Sequence, residues 1–296
     1  MRPDSLILLF HAIGTPAETG YKDAVSAEAF AQALRWLGDH YQVCPLDQLL
    51  QRLQAGHSIS GQAALTFDDN HRSLAEVALP LAAAQGLPAT WFIMTGPLAG
   101  RPFWRRRLTA LQASGQEAAF RAFLYVEAPA VAARLRPGKL YKDSKDPDRV
   151  SPAEMARLLA AFLPGQAPAE DQITAGELAS LRLPGLTLGN HSRDHLVMAG
   201  LSAEAQAQEV ARASESLAAY PQPKSRLFAV PFGGAKTYNA ATAAAVTAAG
   251  LSGLAVTVDG LAAADDLTAH PELEPGQGLA RSLARALFSQ SSMRME

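Results

Sequence analysis

An apolar run ends in two adjacent carboxylates at Ala63-Ala-Leu-Thr-Phe-Asp-Asp69. The run has the length and composition of a buried strand, so both acids are expected where that strand ends. Catalytic groups of α/β folds collect at such strand ends. A simpler interpretation is that Asp69 or Asn70 caps a following helix by accepting its first free amides. The stretch therefore predicts a central strand whose end is either catalytic or a helix cap.

Strand-like and helix-like segments alternate along most of the chain. Further apolar runs predict strands at Leu6–Phe10, Ala89–Met94, Leu186–Leu188, Leu227–Val230 and Leu254–Val258. Amphipathic or alanine-rich segments predict helices at Ser26–Gly38, Ser73–Gln85, Ser202–Ala219 and Asn239–Ala249. This alternation is typical of parallel βα units. It fits an open doubly wound sheet and a closed barrel equally well.

A second motif, His191-Ser-Arg-Asp-His195, carries two histidines four residues apart. This spacing places both imidazoles on one face of a helical turn, within reach of one cation. Two imidazoles and one carboxylate make a facial triad with open coordination positions, and a second carboxylate is then free to act as a base. The alternative is a pair of surface or capping histidines, which is more common for this motif alone.

Length and charge limit the class of protein. The chain has 296 residues, 48% hydrophobic content and a formal net charge of -2, which favours one large α/β domain over 1–296. The sequence lacks a long basic block, so nucleic acid is not expected as a partner. Cys44 is the only cysteine, which excludes an internal disulfide and favours a small buried apolar residue.

The amino-terminal segment resembles neither a signal peptide nor a membrane span. The apolar run Leu6–Phe10 has five residues, too few for a signal-peptide core, and it leads straight into His11. The sequence also lacks an apolar stretch of bilayer-spanning length. We expect a cytoplasmic protein.

The rhythm of strands and helices changes between residues 97 and 180. This segment predicts a helical insertion near the site, opened by Arg101-Pro-Phe-Trp-Arg-Arg-Arg107. It could act as a substrate-binding lid in which Arg105 to Arg107 meet an anionic group such as phosphate. The alternative, a solvated helix face, is the more common use of such a charge run.

These motifs together resemble the polysaccharide deacetylase family (carbohydrate esterase family 4). The first family motif, T-F-D-D-G, reads Thr66-Phe-Asp-Asp-Asn70, and the second, H-[ST]-x-x-H, is His191-Ser-Arg-Asp-His195. The third, R-x-P-[FY]-G, reads Ala229-Val-Pro-Phe-Gly233. The resemblance extends from about Leu6 to Val258. It implies an irregular (β/α)7 barrel of the polysaccharide deacetylase type.

The resemblance assigns roles to individual residues. It implies a divalent metal, most favourably Zn²⁺, held by Asp69, His191 and His195. Asp68 is the implied base that activates a metal-bound water. The turn at Pro231 and Phe232 is implied to hold the oxyanion, through the backbone N–H of Phe232.

Three departures from the family pattern bear on activity. Asn70 replaces the glycine after the aspartates, a tolerable change because asparagine adopts left-handed backbone. Ala229 replaces the arginine that orients the catalytic aspartate, so another group must hold Asp68. The late Leu-x-His, source of the general acid, is only approximated by Leu267-Thr-Ala-His270. His270 is thus the first candidate for the acid and His11 the rival, the alternative being ordinary surface or capping histidines.

The implied activity is metal-dependent hydrolysis of acetyl groups from N-acetylated sugars, in a cell-surface glycan or its precursor. Hydrolysis of another non-peptide amide, such as a formamide, would keep this chemistry and change the substrate. A catalytically silent carbohydrate-binding homologue is the third possibility. Ala229 and the displaced late histidine favour that possibility, whereas an intact Asp68 argues against it.

Overall fold

A curled, mostly parallel β-sheet forms the centre of the molecule. The computed structural model describes residues 5–258, except 22, 102, 147 and 164–170, together with 284–289. The strands are β1 (Leu6–Phe10), β2 (Gln42–Val43), β3 (Gln62–Asp68), β4 (Ala89–Ile93), β5 (Leu186–Asn190), β6 (Lys224–Ala229), β7 (Gly253–Val258) and β8 (Ala284–Ser289). Their order is β1-β3-β4-β5-β6-β7-β8, with β2 beside β3. Because β8 pairs antiparallel with β7 and also approaches β1, the sheet curls toward closure.

The expected α/β architecture of the barrel type is confirmed. All six predicted strands form, although β5 continues to Asn190 and β6 already begins at Lys224. The described part of the sheet has eight strands, two more than the six that the apolar runs predicted. The additional strands are β2, which has only two residues, and β8, which pairs antiparallel with β7.

Helices surround the sheet and fill the segment between β4 and β5. They are α1 (Pro16–Thr19), α2 (Ala27–His40), α3 (Leu46–Gln54), α4 (Leu79–Ala84), α5 (Thr95–Leu98), α6 (Trp104–Ala113), α7 (Glu117–Glu127), α8 (Pro129–Arg134), α9 (Leu140–Asp143), α10 (Pro152–Phe162), α11 (Ala175–Ser180), α12 (Ala203–Ala218) and α13 (Ala240–Ala248). Within the described ranges, none of them combines the length and apolarity needed to cross a bilayer.

Side-chain caps explain where three predicted helices begin. Ser26, Ser202 and Asn239 each accept a hydrogen bond from the backbone N–H three residues later, at the starts of α2, α12 and α13. The predicted helix at 73–85 differs, because it opens with a π-helical turn over Leu74–Ala78 before α4. Pro80 supplies a physical reason, since it has no N–H for the regular i→i−4 bond.

Small residues inside the curled sheet leave room for a few large ones. Ala64, Ala229 and Ala255, from β3, β6 and β7, share a buried cluster with Phe92 of β4. Gly189 of β5 faces Phe92 so closely that an added Cβ would overlap its ring. Phe92 therefore fills space in the interior of the curled sheet that the small residues of the neighbouring strands leave open.

The segment at 97–180 contains α6 to α11 and has a hydrophobic cluster of its own. Buried members include Trp104, Phe120, Met155 and Leu159. Phe232, from the turn after β6, packs against this cluster. The helices thus lie against the carboxyl-terminal side of the sheet.

Gly189→Ala should destabilise the fold by about 1–3 kcal/mol, because the new methyl group must displace the buried Phe92 ring. Urea unfolding measures the change. Gly176→Ala is the matched control, since a Cβ at this position in α11 meets nothing within 4 Å and alanine favours helix. Equal stability of the two variants would contradict the packing described here.

Candidate metal centre

Strand ends bring the candidate ligands together. Asp69 directly follows β3 and His191 directly follows β5. His191 Nδ1 lies 2.9 Å from the carbonyl oxygen of Ala229, the last residue of β6. If Nδ1 donates to this carbonyl, the ring is fixed with its Nε2 lone pair toward Asp69.

The three side chains form one compact group. Asp69 Oδ1 lies 3.5 Å from His191 Nε2 and 3.4 Å from His195 Nε2. One ligand atom from each residue lies within 4.8 Å of the other two. All three residues are at most 2% exposed. The predicted grouping of Asp69, His191 and His195 is therefore present in the structure.

The chemistry of this group fits a divalent cation. Both carboxylate oxygens of Asp69 are buried without a hydrogen bond, and a buried charge without such a partner is costly. Burial lowers the pKa of His195 well below its usual value, which keeps the imidazole neutral. Burial raises the pKa of Asp69, but the flanking histidines outweigh this effect and hold it well below the usual range. An ionised carboxylate and a neutral imidazole are the forms that bind metal.

The backbone turn at Asp69 explains how two consecutive acids reach one site. Consecutive strand residues point to opposite faces. Asp69 has left-handed backbone with φ 67°, which breaks this alternation. Its carbonyl accepts a hydrogen bond of 2.7 Å from Trp91 Nε1, which holds the turn in place.

Asn70 has a different role from the one expected. The left-handed residue is Asp69, so Asn70 does not need the conformational freedom of glycine. Its side-chain amide instead pairs with the backbone N–H and carbonyl of Met94, at 3.0 and 2.9 Å, and joins the ends of β3 and β4. The capping alternative for Asp69 or Asn70 is therefore wrong.

The prediction of a helical turn at His191–His195 is also wrong. The segment is an irregular loop in which Ser192 and His195 have positive φ, 64° and 52°. The two rings nevertheless meet edge to face with centroids 4.8 Å apart. The i, i+4 spacing correctly predicted that the two imidazoles lie close together, but the backbone conformation it assumed is wrong. Left-handed residues, rather than a helix, set the direction of the two side chains.

Buried polar side chains hold this loop. Asn190 Oδ1 accepts from the N–H of Ser192 at 2.8 Å, and Ser192 Oγ accepts from the N–H of His195 at 3.0 Å. Glu209 of α12 accepts from two further loop amides, at 3.1 and 2.9 Å. Burial raises the pKa of Glu209, against the effect of these two hydrogen bonds. Ser192 thus braces the loop that carries the two histidines.

Asp68 and the turn after β6 lie beside the triad. Asp68 is 3% exposed, and its Oδ2 lies 3.8 Å from His191 Nε2. Phe232 has left-handed backbone, and its ring centroid lies 4.5 Å from that of His195. Pro231, which precedes it, is buried. Their assignments as base and oxyanion turn stay predictions.

His11 lies at the same end of the sheet as the triad, because Phe10 pairs with Phe67, whereas His270 lies outside the described residues. His11 follows β1, and its Nδ1 lies 2.7 Å from Asp23 Oδ2. Burial lowers the pKa of His11, but Asp23, Asp69 and Asp68 raise it to about 9 overall. The imidazole is therefore protonated near neutral pH. Its charge also lowers the pKa of Asp23 to about 2, although burial opposes this shift.

The arginines at the start of the insertion are not a uniform solvated face. Arg105 points inward, with Nη1 3.8 Å from Asp69 Oδ2, while Arg106 pairs with Asp171. No local sequence pattern connects Arg105 with Asp69, or Asp23 and Glu209 with the histidines. The partners in each pair lie far apart along the chain, so no motif spacing links them. The one available signal would have been a charged residue in an otherwise apolar segment with no opposite charge nearby in sequence.

Comparisons with known proteins agree with this geometry. The model of the polysaccharide deacetylase family matches residues 159–254, which confirms the resemblance seen in the motifs. The matched range contains His191 and His195 but not the aspartates that the fold brings to them. Among curated proteins, none matches the chain significantly in sequence.

Several solved structures share the fold. Streptococcus pyogenes deacetylase PplD in complex with acetate is 16% identical with a TM-score of 0.52, over 85% of this chain and 82% of that chain. IcaB from Ammonifex degensii is 16% identical with a TM-score of 0.50, over 85% and 83%. A de-N-acetylase from Aggregatibacter actinomycetemcomitans is 14% identical with a TM-score of 0.51, over 84% and 86%. At these identities the likeness is one of fold.

We expect NMR of the metal-free protein to give His11 a pKa of about 9, because Asp23 outweighs burial. Asp23→Asn should lower that pKa, because burial still disfavours the charged imidazole while the negative charge of Asp23 no longer favours it. The folded-state value lies above the ordinary 6.5, so the pair stabilises the fold fully below pH 6.5 and loses this effect as pH rises through 9. Urea unfolding between pH 6.5 and 9 measures this loss as a fall in the free energy of unfolding. Asp39→Asn, at an exposed position in α2, is the control and should show the same fall as the parent protein.

Proposed function

Because the chain carries a polysaccharide deacetylase domain, we propose that it is a metal-dependent hydrolase that removes acetyl groups from N-acetylated sugars. The substrate would be a cell-surface glycan or its precursor. The observation that carries this proposal is the buried group of Asp69, His191 and His195 beside a second carboxylate, Asp68. A site for binding alone has no need of that additional buried acid.

Asp69 and the two histidines would hold the cation, most favourably Zn²⁺, through one carboxylate oxygen and two Nε2 atoms. When bound, such a cation acts as a Lewis acid that polarises the acetamide carbonyl and acidifies water. The remaining steps belong to the side chains around it. Their positions on strand ends, rather than on long loops, suit the accuracy that this chemistry requires.

Asp68 would accept the proton of the attacking water as the new C–O bond forms. The backbone N–H of Phe232, in the turn with Pro231, would donate to the oxygen of the tetrahedral intermediate. Protonated His11, held by Asp23, would give its proton to the departing nitrogen as the C–N bond breaks. The products are acetate and a free amine, and one water is consumed.

His11 suits the acid role because it is protonated at neutral pH and already oriented. Asp23 contacts one ring nitrogen, at 2.7 Å, which leaves the other available to a substrate. Phe10 and Phe67 are register partners in the parallel pair of β1 and β3, which places His11 beside the end of β3 and its aspartates. His270 stays the alternative that the sequence motif suggests.

Asp68→Asn should reduce acetate release from acetylated amino-sugar oligomers by a factor on the order of 10² to 10⁴, since the amide keeps the shape but accepts no proton. Bound metal should stay near that of the parent protein. Asp69→Asn is the matched variant and should lose metal, because the amide is a weaker ligand. Elemental analysis and acetate assay of both proteins decide the roles. The opposite pattern would exchange the two carboxylates.

His11→Ala should lose most turnover and keep its metal, because it removes the proton donor but no ligand. His270→Ala should retain turnover if His11 is the acid. Acetate release and metal content are measured for both variants. Loss of turnover in His270→Ala with normal activity in His11→Ala would assign the acid to His270.

The same assay separates the proposed function from its alternatives. Formate rather than acetate release from a panel of acylated amines would favour a hydrolase of another non-peptide amide. A metal-loaded protein that binds the oligomers and hydrolyses none of the panel would support the silent carbohydrate-binding homologue. A cytoplasmic location is proposed from the sequence, and cell fractionation would test it.

A further inference from the structure

Arg105 reaches the metal group from the helical insertion. It is the second residue of α6, and its side chain is only 19% exposed. Its Nη1 lies 3.8 Å from Asp69 Oδ2, the carboxylate oxygen that does not face the two histidines. The guanidinium of a residue outside the barrel thus lies beside a candidate metal ligand within it.

Aromatic side chains and a hydrogen bond fix the position of this guanidinium. Arg105 Nε donates to Tyr141 Oη at 2.7 Å. Its Cζ lies 5.6–5.7 Å from the ring centroids of Tyr21, Tyr141 and Phe232. Such stacking is favourable for a planar guanidinium and restricts its rotation. The Arg105–Asp69 approach is therefore built into the fold rather than made by a free surface side chain.

The two oxygens of Asp69 are consequently divided between two kinds of partner. Oδ1 faces His191 and His195, whereas Oδ2 faces Arg105. A carboxylate can bind a cation with one oxygen or with both, and a second oxygen occupies a position that a catalytic site must leave open. An ion pair to Oδ2 opposes the second mode.

We propose that Arg105 is a positioning residue that restrains Asp69 to a single metal-binding oxygen and so keeps a coordination position open for water and substrate. This inference rests on the proposed function in one respect, namely that the open coordination position serves water and substrate. The restraint of Asp69 itself requires only that the site binds a metal. It also gives the insertion a role at the site, in a chain whose third motif has Ala229 instead of the family arginine.

Arg105 is expected to lower the affinity of the site for a divalent metal. Arg105 and the divalent cation are both positive and share one carboxylate, so each weakens the binding of the other to it. Removal of the guanidinium should therefore strengthen metal binding while it impairs turnover. Loss of packing alone would loosen Asp69 and weaken metal binding. The direction of the change separates the two explanations.

The test measures Zn²⁺ affinity by competition with a chromophoric chelator, and the absorption spectrum of the Co²⁺-loaded protein. Arg105→Met should bind Zn²⁺ roughly tenfold more tightly. Its Co²⁺ bands should weaken, as they do when coordination number rises. Arg105→Lys retains the charge and should stay near the parental affinity. Arg106→Met is the matched control in the same helix, because it removes a guanidinium that pairs with Asp171 rather than Asp69. This variant should not change Zn²⁺ affinity.

Tyr141→Phe provides a milder variant if Arg105→Met does not fold. It keeps the ring and removes the hydrogen bond to Nε, so Zn²⁺ should bind more tightly by a smaller factor. Weaker or unchanged Zn²⁺ affinity in Arg105→Met, or in Tyr141→Phe where Arg105→Met does not fold, would overturn the proposal, and so would an unchanged Co²⁺ spectrum in that variant. Where acetate release is observed, Arg105→Met should reduce kcat by about tenfold. If the parent protein releases none, the proposed function fails, but the metal measurements still decide the role of Arg105.

Discussion

A completely buried carboxylate, Asp69, imposes the main constraint on this structure. A charge in such an environment is costly unless opposite charges or hydrogen bonds compensate it, and both of its oxygens lack a hydrogen bond. The fold surrounds it with His191 and His195 on one side and Arg105 on the other. The two histidines that face this charge in the protein alone are thus also the groups that a bound cation would contact, whereas Arg105 would not contact it.

Strained backbone is concentrated around this carboxylate. Asp69, Ser192, His195 and Phe232 are the non-glycine residues with positive φ in the described ranges, and all four belong to the site. Each costs free energy that the neighbouring hydrogen bonds and packing must offset. The strain has a clear geometric effect, since it turns side chains from successive or nearby residues toward the same point. Regular strand or helix geometry would have separated them.

The helical insertion contributes to the site as well as covering it. Its cluster packs on Phe232, whose ring contacts His195, and its first helix carries Arg105. A change in how α6 packs would therefore alter both the charge beside Asp69 and the wall beside His195. This coupling gives a physical reason why a segment without strands could influence chemistry at the strand ends.

Much of the fold and the composition of the site follow from local sequence patterns. Buried parallel strands produce apolar runs, and Ser26, Ser202 and Asn239 mark helix starts, so these elements could be predicted to within a few residues. The motifs around Asp68, Asp69, His191 and His195 likewise predicted which side chains meet. Each of these signals is carried by neighbours along the chain.

The tertiary structure alone decided the backbone that presents the histidines and the long-range partners of the charges. A loop with left-handed residues and a helical turn share the same H-x-x-x-H spacing, so the sequence could not distinguish them. Asp23 with His11, Glu209 with the histidine loop, and Arg105 with Asp69 are set by how separate elements pack. Burial determines whether such charges matter, and burial is a property of the whole fold. The sequence thus determined the elements and the ligand types, whereas packing determined their geometry and electrostatics.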